Sequence, residues 1–387
     1  MRLKKRILIV LPFCLFLFLT CSCRQHKTGS NLNEATLHPL ISVKYAKGFT
    51  LEYHKDYKVL EVFNPWQSAQ GMHYKYILIP KGKNIKENFG DAEIIRTPVQ
   101  RIVCMSTTHI GLIDLIDKTS TIVGISGTNL VNNQKLRYRI DHGQIPDVGY
   151  EQSLNYERIL SLKPDLVMTY GVGGDILNYV NKFHELGIKV VFNAEYLESS
   201  PLAKAEWVKF MSAFYDEEIK ADRQFKSIEK EYIQLAGIAR KAKTSPTVLC
   251  GLPWKDKWYV PGGDSYLATL IRDAGANYLW SDNPSRESFP LDIETVYNKA
   301  SHADYWINSG AANSLNEILS VDPRLENFKA AHYDRVFNNN AILNVNGGND
   351  YWESGIIHPQ VILKDLIKIF HPELLPGYSL VYYKQLK

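Results

Sequence analysis

Outside its first two dozen residues the sequence holds only two cysteines, Cys104 and Cys250. Two isolated cysteines exclude a disulfide-framed fold and a cysteine-rich zinc site. No His-Glu-x-x-His helix, Gly-x-Ser-x-Gly elbow or P-loop lysine motif occurs, which removes the usual zinc-protease, serine-hydrolase and phosphoryl-transfer chemistries. The glycine string Gly171-x-Gly173-Gly174 follows a strand-like run but lacks the spacing of a dinucleotide fingerprint. An excess of one charge is also missing: 45 Lys and Arg stand against 41 Asp and Glu. The basic residues are dispersed, so nothing marks a nucleic-acid partner. The uninterrupted apolar run at residues 7–19 is shorter than the roughly 20 residues a bilayer-spanning helix needs.

That run follows Arg2, Lys4, Lys5 and Arg6 and precedes Thr20-Cys21-Ser22-Cys23. This is the order of an export signal, and residues 1–22 are set aside from the fold. The segment Thr20 to Cys23 resembles the lipobox of bacterial lipoproteins. Cys23, directly behind the small Ser22, is the expected lipidation site, with Cys21 behind Thr20 as the alternative; residues 23–40 are then a flexible tether. Attachment through several acyl chains holds a protein stably on a membrane, which one chain alone does not.

Behind the tether, residues 49–62 and 74–79 alternate apolar and polar positions on either side of Asn64-Pro65-Trp66. That period predicts antiparallel strands of a small N-terminal β element over residues 41–97. From Val99 onward short apolar runs alternate with amphipathic stretches, the grammar of α/β layers. Strands are expected at 101–105, 121–125, 165–169 and 190–192, with helices near 108–115, 154–162 and 177–186. The pattern recurs with strands at 247–251, 305–307 and 336–337 and helices at 266–274, 293–299 and 359–370. Between the blocks, residues 204–243 lack proline and carry apolar residues at helical spacing, with a break near Tyr215-Asp216. Cys104 and Cys250 close β-like runs, where a buried thiol is the ordinary role. The expected fold class is α/β, with two Rossmann-like lobes at 98–202 and 244–387 bridged by a long α-helix within 203–243.

Several strings occur in one order: Arg101-Ile-Val-Cys-Met-Ser106, Ile122-Val-Gly-Ile-Ser126, Pro146-Asp-Val-Gly149, Leu154-Asn-Tyr-Glu157, Leu162-Lys-Pro-Asp-Leu-Val167, Leu186-Gly-Ile-Lys-Val190, Trp258-Tyr-Val-Pro-Gly-Gly-Asp-Ser265 and His358-Pro359. Together they resemble the binding proteins that serve ABC importers of iron-siderophores, haem and cobalamin. The resemblance covers about residues 98–374 and leaves the N-terminal β element unexplained. It implies a protein without catalysis or cofactor that captures a ferric siderophore, or else cobalamin or haem, and delivers it to an ABC permease. It implies a periplasmic place, with the lipid anchored in a bacterial membrane. A nucleotide-binding enzyme or a surface adhesin on the same lobes is the alternative, since a fold alone does not fix a function.

The resemblance also implies docking on the permease through one acidic residue per lobe, here Glu157 and Glu294. Both begin predicted helices, where the macrodipole favours a carboxylate in any case. Ligands of α/β sheets bind beyond the carboxyl ends of the strands. That rule nominates Ser106, Thr107, Thr108, His109, Tyr150 and Gly171 in the first lobe and Trp254, Trp258, Tyr259, Ser309, Tyr351 and Trp352 in the second. The Gly149-Tyr150-Glu151 and Tyr170-Gly171-Val172-Gly173 loops belong to the same set. The aromatic residues suit stacking on a flat ligand, although Trp258 also fits a buried strand. His109 would open a helix facing the cleft, yet no metal site is expected, because His302, His332, His358 and His371 lack zinc spacing.

Overall fold

The computed structural model describes residues 41–150, 153–171 and 176–387, all within one unit, His38–Lys387. Cys21, Cys23, Glu151, Val172 and Gly173 lie outside the described residues. Among the described residues no helix is long and apolar enough to cross a membrane.

The alternating N-terminal segments form β1 (Phe49–Tyr53), β2 (Lys58–Phe63) and β3 (His73–Pro80), paired antiparallel in that order. In β2 the residues Lys58, Leu60 and Val62 are buried and their neighbours half-exposed, the period of a one-sided strand. An unexpected β4 (Glu93–Thr97) adds to β3 in parallel. Its short Glu-Ile-Ile-Arg-Thr run is too brief to stand out by period alone.

The first lobe contains β5 (Ile102–Cys104), β6 (Ile122–Ile125), β7 (Leu166–Thr169) and β8 (Val190–Phe192). They pair in parallel in the order β6-β5-β7-β8. All their residues are buried, as parallel strands between helical layers must be. The covering helices are α1 (Thr107–Leu115), α2 (Gln134–Asp141), α3 (Tyr156–Ser161) and α4 (Ile176–Glu185). The expected helix over 154–162 is shorter because Asn155 caps it, accepting from the Arg158 N–H.

The bridge consists of α5 (Pro201–Ala213) and α6 (Glu218–Ala239) rather than one continuous helix. The chain turns at Asp216, whose φ is 57°. Every residue of α5 is buried, whereas α6 keeps one apolar stripe against α5 and the second lobe.

The second lobe opens with β9 (Thr247–Cys250), followed by β10 (Pro253–Trp254), β11 (Lys257–Val260), α7 (Tyr266–Asp273), β12 (Asn277–Tyr278), β13 (Phe289–Leu291), α8 (Ile293–Ala300) and β14 (Tyr305–Ile307). Then come α9 (Leu315–Leu319), α10 (Lys329–His332), β15 (Val336–Asn338), α11 (Asp350–Glu353), α12 (Pro359–Phe370) and β16 (Lys384–Gln385). The main sheet runs β12-β9-β14-β15-β16, with β16 antiparallel, and β10-β11-β13 make a separate small sheet. In each lobe the second main strand lies outside the first. A crevice is therefore expected beyond β5 and β7 and beyond β9 and β14. Cys104 and Cys250 end β5 and β9 as free buried thiols whose pKa burial pushes up.

Charged side chains, not only apolar contacts, fasten the N-terminal sheet to the bridge. Glu206 of α5, with no exposed surface, accepts from the backbone N–H groups of Lys44, Tyr45 and Ala46 at 2.9, 2.6 and 2.9 Å. Lys209 Nζ donates to the same carboxylate at 2.8 Å and to Ser42 O at 2.8 Å. Glu198 accepts from the N–H groups of Lys47 and Gly48 at 2.8 and 2.9 Å and from Trp207 Nε1 at 3.1 Å. Buried charges are tolerated because each has such partners. The sheet is thus a fixed part of the molecule.

Candidate functional site

A cleft of about 600 Å³ opens where three parts of the chain meet. The N-terminal element supplies Lys47, Phe63, Asn64, Trp66, Gln67 and Gln70. The segment after β8 and the start of α5 supply Tyr196, Glu198, Ser199 and Lys204; the second lobe supplies Ser265, Tyr266, Arg286, Glu287 and Trp352. A side chamber of about 380 Å³ shares Ser199 and Arg286 with it. The size falls within the usual range of small-molecule sites, roughly 300–1,000 Å³.

The N-terminal loop explains why the opening lies here. Trp66 bridges to Gly171 at the carboxyl end of β7 and packs 5.5 Å from Phe192. A Cβ on Gly171 would stand 2.6 Å from Trp66 Cβ, so only glycine admits this plug. Tyr196 donates its hydroxyl to Gly171 O from the other side. Trp66 thus packs at the carboxyl end of β7, and the open volume lies beside the segment after β8.

The strand-end residues nominated from the sequence separate accordingly. Only Trp352 lines the cleft. Ser106 caps α1 by accepting from Thr108 N–H at 3.2 Å, and with Thr107 and Thr108 it is half-buried. Ser309 and Tyr351 are enclosed, Tyr351 lying edge-on to Trp352 at 4.8 Å. Trp258 sits in the core, donating Nε1–H to Cys250 O at 3.0 Å and tilted against Trp306. Trp254 and Tyr259 project outward from the small β10-β11-β13 sheet, Trp254 being 64% exposed. Tyr150 is also exposed, its ring lying against Gly127.

The cleft wall rests on charge. Lys204 is 8% exposed and its ammonium stands 4.6 Å from the Tyr266 ring centroid. Behind it Glu195 is 2% exposed, with Oε2 unpartnered among the described residues and the Thr108 hydroxyl supporting the carboxyl. Burial raises the Glu195 carboxyl, an effect Lys204 opposes. Burial lowers the Lys204 ammonium against the pull of Glu195 and Glu198.

A latch joins the lobes through α11. Glu353 accepts from the N–H groups of Asn132 and Asn133 at 2.7 and 2.6 Å. Burial pushes its carboxyl up to about 7 in spite of those donors. Asn344 Nδ2 donates to Asn129 O and Val131 O at 3.0 and 3.1 Å. A Cβ on Gly111 would lie 2.2 Å from Glu353 O, so α1 and α11 approach too closely for any side chain. The two helices of the bridge and this latch together hold the cleft largely preformed.

His109 does not face the cleft. Its ring is wholly buried, 6.5 Å from Tyr170, and neither nitrogen has a hydrogen-bond partner among the described residues. Burial holds its pKa down at about 3. Below about 6.5 the unfolded chain therefore takes up a proton that the folded chain refuses. Stability from this residue is complete above that pH and is lost towards about pH 3 at up to ~1.4 kcal/mol per unit. His109→Leu is expected to leave stability at pH 7 unchanged or raised, because an unpartnered buried polar group is removed. The gap in urea midpoint between variant and parent should widen in the variant's favour as pH falls from 6.5 to 4. A constant gap would mean that the imidazole is partnered. Among the described residues no group of three or more potential metal ligands occurs.

Glu157 lies exposed in the first turn of α3. Glu294 lies in the first turn of α8, behind the Asp292 cap, and accepts from Arg324 Nη1 at 2.9 Å. The Arg324 hydrogen bond holds the Glu294 carboxyl below its ordinary value.

Residues 102–341 match the family model described as periplasmic binding protein. The chain belongs to that family. An uncharacterized lipoprotein of Methanocaldococcus jannaschii is 28% identical over 387 aligned positions, which cover 92% of this chain and 90% of that one. A vitamin B12-binding protein of Salmonella typhi is 34% identical over 182 positions, 46% of this chain and 63% of the relative. A solved periplasmic heme binding protein from Pseudomonas aeruginosa has a TM-score of 0.57 at 19% identity, covering 75% of this chain and 98% of its own; it carries the fold. The N-terminal sheet of this periplasmic binding protein precedes the family match, yet an alignment over 92% of the chain includes part of it.

Sequence reasoning missed most cleft residues of this family member. Lys47, Trp66, Gln67 and Gln70 lie in the element set aside as unexplained. Tyr196, Glu198 and Lys204 follow β8, a first-lobe strand whose carboxyl-end loop was not nominated. Applying the strand-end rule to β8 would have reached them. Tyr266 opens α7 behind Gly262-Gly263, a turn-to-helix signal of the same kind.

Proposed function

We propose that this chain is the solute-binding lipoprotein of an ABC importer and captures a metal chelate, a ferric siderophore by first preference, in the three-walled cleft. The observation that carries this reading is the cleft itself: it is fixed in shape by α5 and the Glu353 latch, and lined by Trp66, Tyr196, Tyr266 and Trp352 beside amides and charges. Aromatic faces with a few polar groups suit a flat or globular chelate. Cobalamin is the second reading, favoured by the relative from Salmonella typhi whose name records vitamin B12 binding; haem is the third. The lipoprotein relative from Methanocaldococcus jannaschii supports attachment outside the cytoplasm, through Cys23 or Cys21. Glu157 and Glu294 would seat the loaded protein on the permease, because rim charges set registry and encounter rate.

Isothermal titration calorimetry of the purified chain against a ferric catecholate, a ferric hydroxamate, haemin and cyanocobalamin tests the reading. A submicromolar Kd for one of the four is expected. Heats no larger than dilution for all four at tens of micromolar would overturn the chelate class.

A further inference from the structure

We propose that the cleft contains an anion subsite built on Lys204, with Arg286 and Lys47 facing it from the other two walls, which takes a carboxylate or phosphate group of the ligand. This deepens the binding-protein reading above and rests on the same cleft. Lys204 lines the cleft while more than nine-tenths of its surface is buried. An ammonium carries three donors. Among the described residues Lys204 Nζ has no hydrogen-bond or ion-pair partner, only the Tyr266 ring face at 4.6 Å. Burying such a group without acceptors is costly, and a ligand oxygen arriving from the cleft supplies them.

The neighbouring carboxylates do not meet that need. Glu198 spends Oε1 on the N–H groups of Lys47, Gly48 and Trp207 and, like Glu195, forms no ion pair with Lys204, although it lines the same cleft. Glu195 lies behind Lys204 beyond ion-pair distance and acts on it only through space. Arg286 and Lys47 are exposed cleft residues whose side chains have no ion-pair partner among the described residues; Glu287 and Glu198 line the same cleft, and Asp264 and Asp273 line the side chamber that shares Arg286. Lys204 also sits in the first turn of α5, a buried 13-residue helix whose N-cap Ser200 makes no side-chain cap. The positive end of that helix adds to the same field. Chelates therefore divide by charge: haem carries carboxylates and cobalamin a phosphodiester, whereas a ferric tris-hydroxamate complex with an uncharged backbone carries neither.

The test uses the full chain with inorganic phosphate and succinate as probes, read by intrinsic tryptophan fluorescence and thermal midpoint, with potassium chloride at matched ionic strength as the control. Saturable binding of at least one probe is expected, weakened about tenfold or more in Lys204→Met, as for a lost charge-assisted hydrogen bond. Arg286→Gln changes an exposed side chain and should weaken the same probe by a smaller factor, which keeps the test valid should Lys204→Met fold poorly. Phosphate alone would identify a phosphate-type group and succinate alone a carboxylate. Absence of saturable binding by either, or affinity unchanged in both variants, overturns the subsite. Chelate binding without anion binding would reject the subsite and keep the binding-protein reading. Anion binding without any chelate would do the reverse.

Discussion

Replacing Lys58 by methionine is expected to destabilise the fold by about 3–5 kcal/mol, the cost of leaving a buried ion without its partner. Lys58 is 3% exposed in β2 and donates to Ala213 O at 2.9 Å, Asp216 Oδ1 at 2.7 Å and Glu218 Oε1 at 2.5 Å. One ammonium thus fills its three donor positions on the last turn of α5, the turn at Asp216 and the first turn of α6. Removing it strands Glu218, itself 7% exposed, and loosens the N-terminal sheet from the bridge. Urea unfolding should show a lower midpoint in Lys58→Met. The double variant Lys58→Met, Glu218→Gln should regain much of the loss, because no buried charge then remains unpaired. A loss under about 1 kcal/mol would place the cluster with solvent-screened surface pairs. Since the segment before β1 and the stretch from Phe63 to Gln70 between β2 and β3 form one wall of the cleft, the single variant should also bind ligand more weakly under conditions where it is still folded.

The double change Glu157→Ala and Glu294→Ala is expected to abolish uptake in cells that carry the cognate importer while leaving ligand affinity within about twofold, since neither residue lines the cleft. Both side chains begin helices at the surface, where solvent screens the dipole interaction, so the fold should survive. The two sites are not equivalent. Arg324 already holds Glu294 at 2.9 Å and also binds Asp322 at 2.6 Å, so under the proposed docking mode a basic group of the permease would compete with a resident arginine on the second lobe. Glu157→Ala alone should therefore cost more transport than Glu294→Ala alone. Unimpaired uptake in the double variant would remove both residues from docking, and lost ligand affinity would move them into the binding site.

The fold was legible where period and burial agree. Strands β5 to β9 are short, mainly apolar runs, with threonine only at the end of β7 and the start of β9, and α7 and α12 begin at Ser265-Tyr266 and Pro359 as their start signals require. The break in the bridge was legible because Asp216 interrupts the apolar spacing and adopts a left-handed turn. Less of the site could be read. The strand-end rule treats each lobe as open, but Trp66 from a distant element packs at the end of β7, and Ser309 and Tyr351 are both buried. Aromatic residues drew attention in the second lobe, yet Trp258 belongs to the core and Trp254 to an outer sheet, a difference set by strand face and not by residue type. Lys204 was hidden as one lysine in a helical stretch, and only tertiary burial distinguishes it from Lys220 or Lys226 on the surface of α6.

Tryptophan fluorescence titration of three proteins decides whether ligand occupies the three-walled cleft. The parent chain, Trp352→Phe and Trp254→Phe would each be titrated with the chelate that binds in calorimetry. Trp352 lines the cleft, whereas Trp254 lies on the β10-β11-β13 sheet away from it. The expected result is saturable quenching whose amplitude falls in Trp352→Phe and is retained in Trp254→Phe. Quenching lost in Trp254→Phe and preserved in Trp352→Phe would place the ligand on the small outer sheet and contradict the cleft as the binding site.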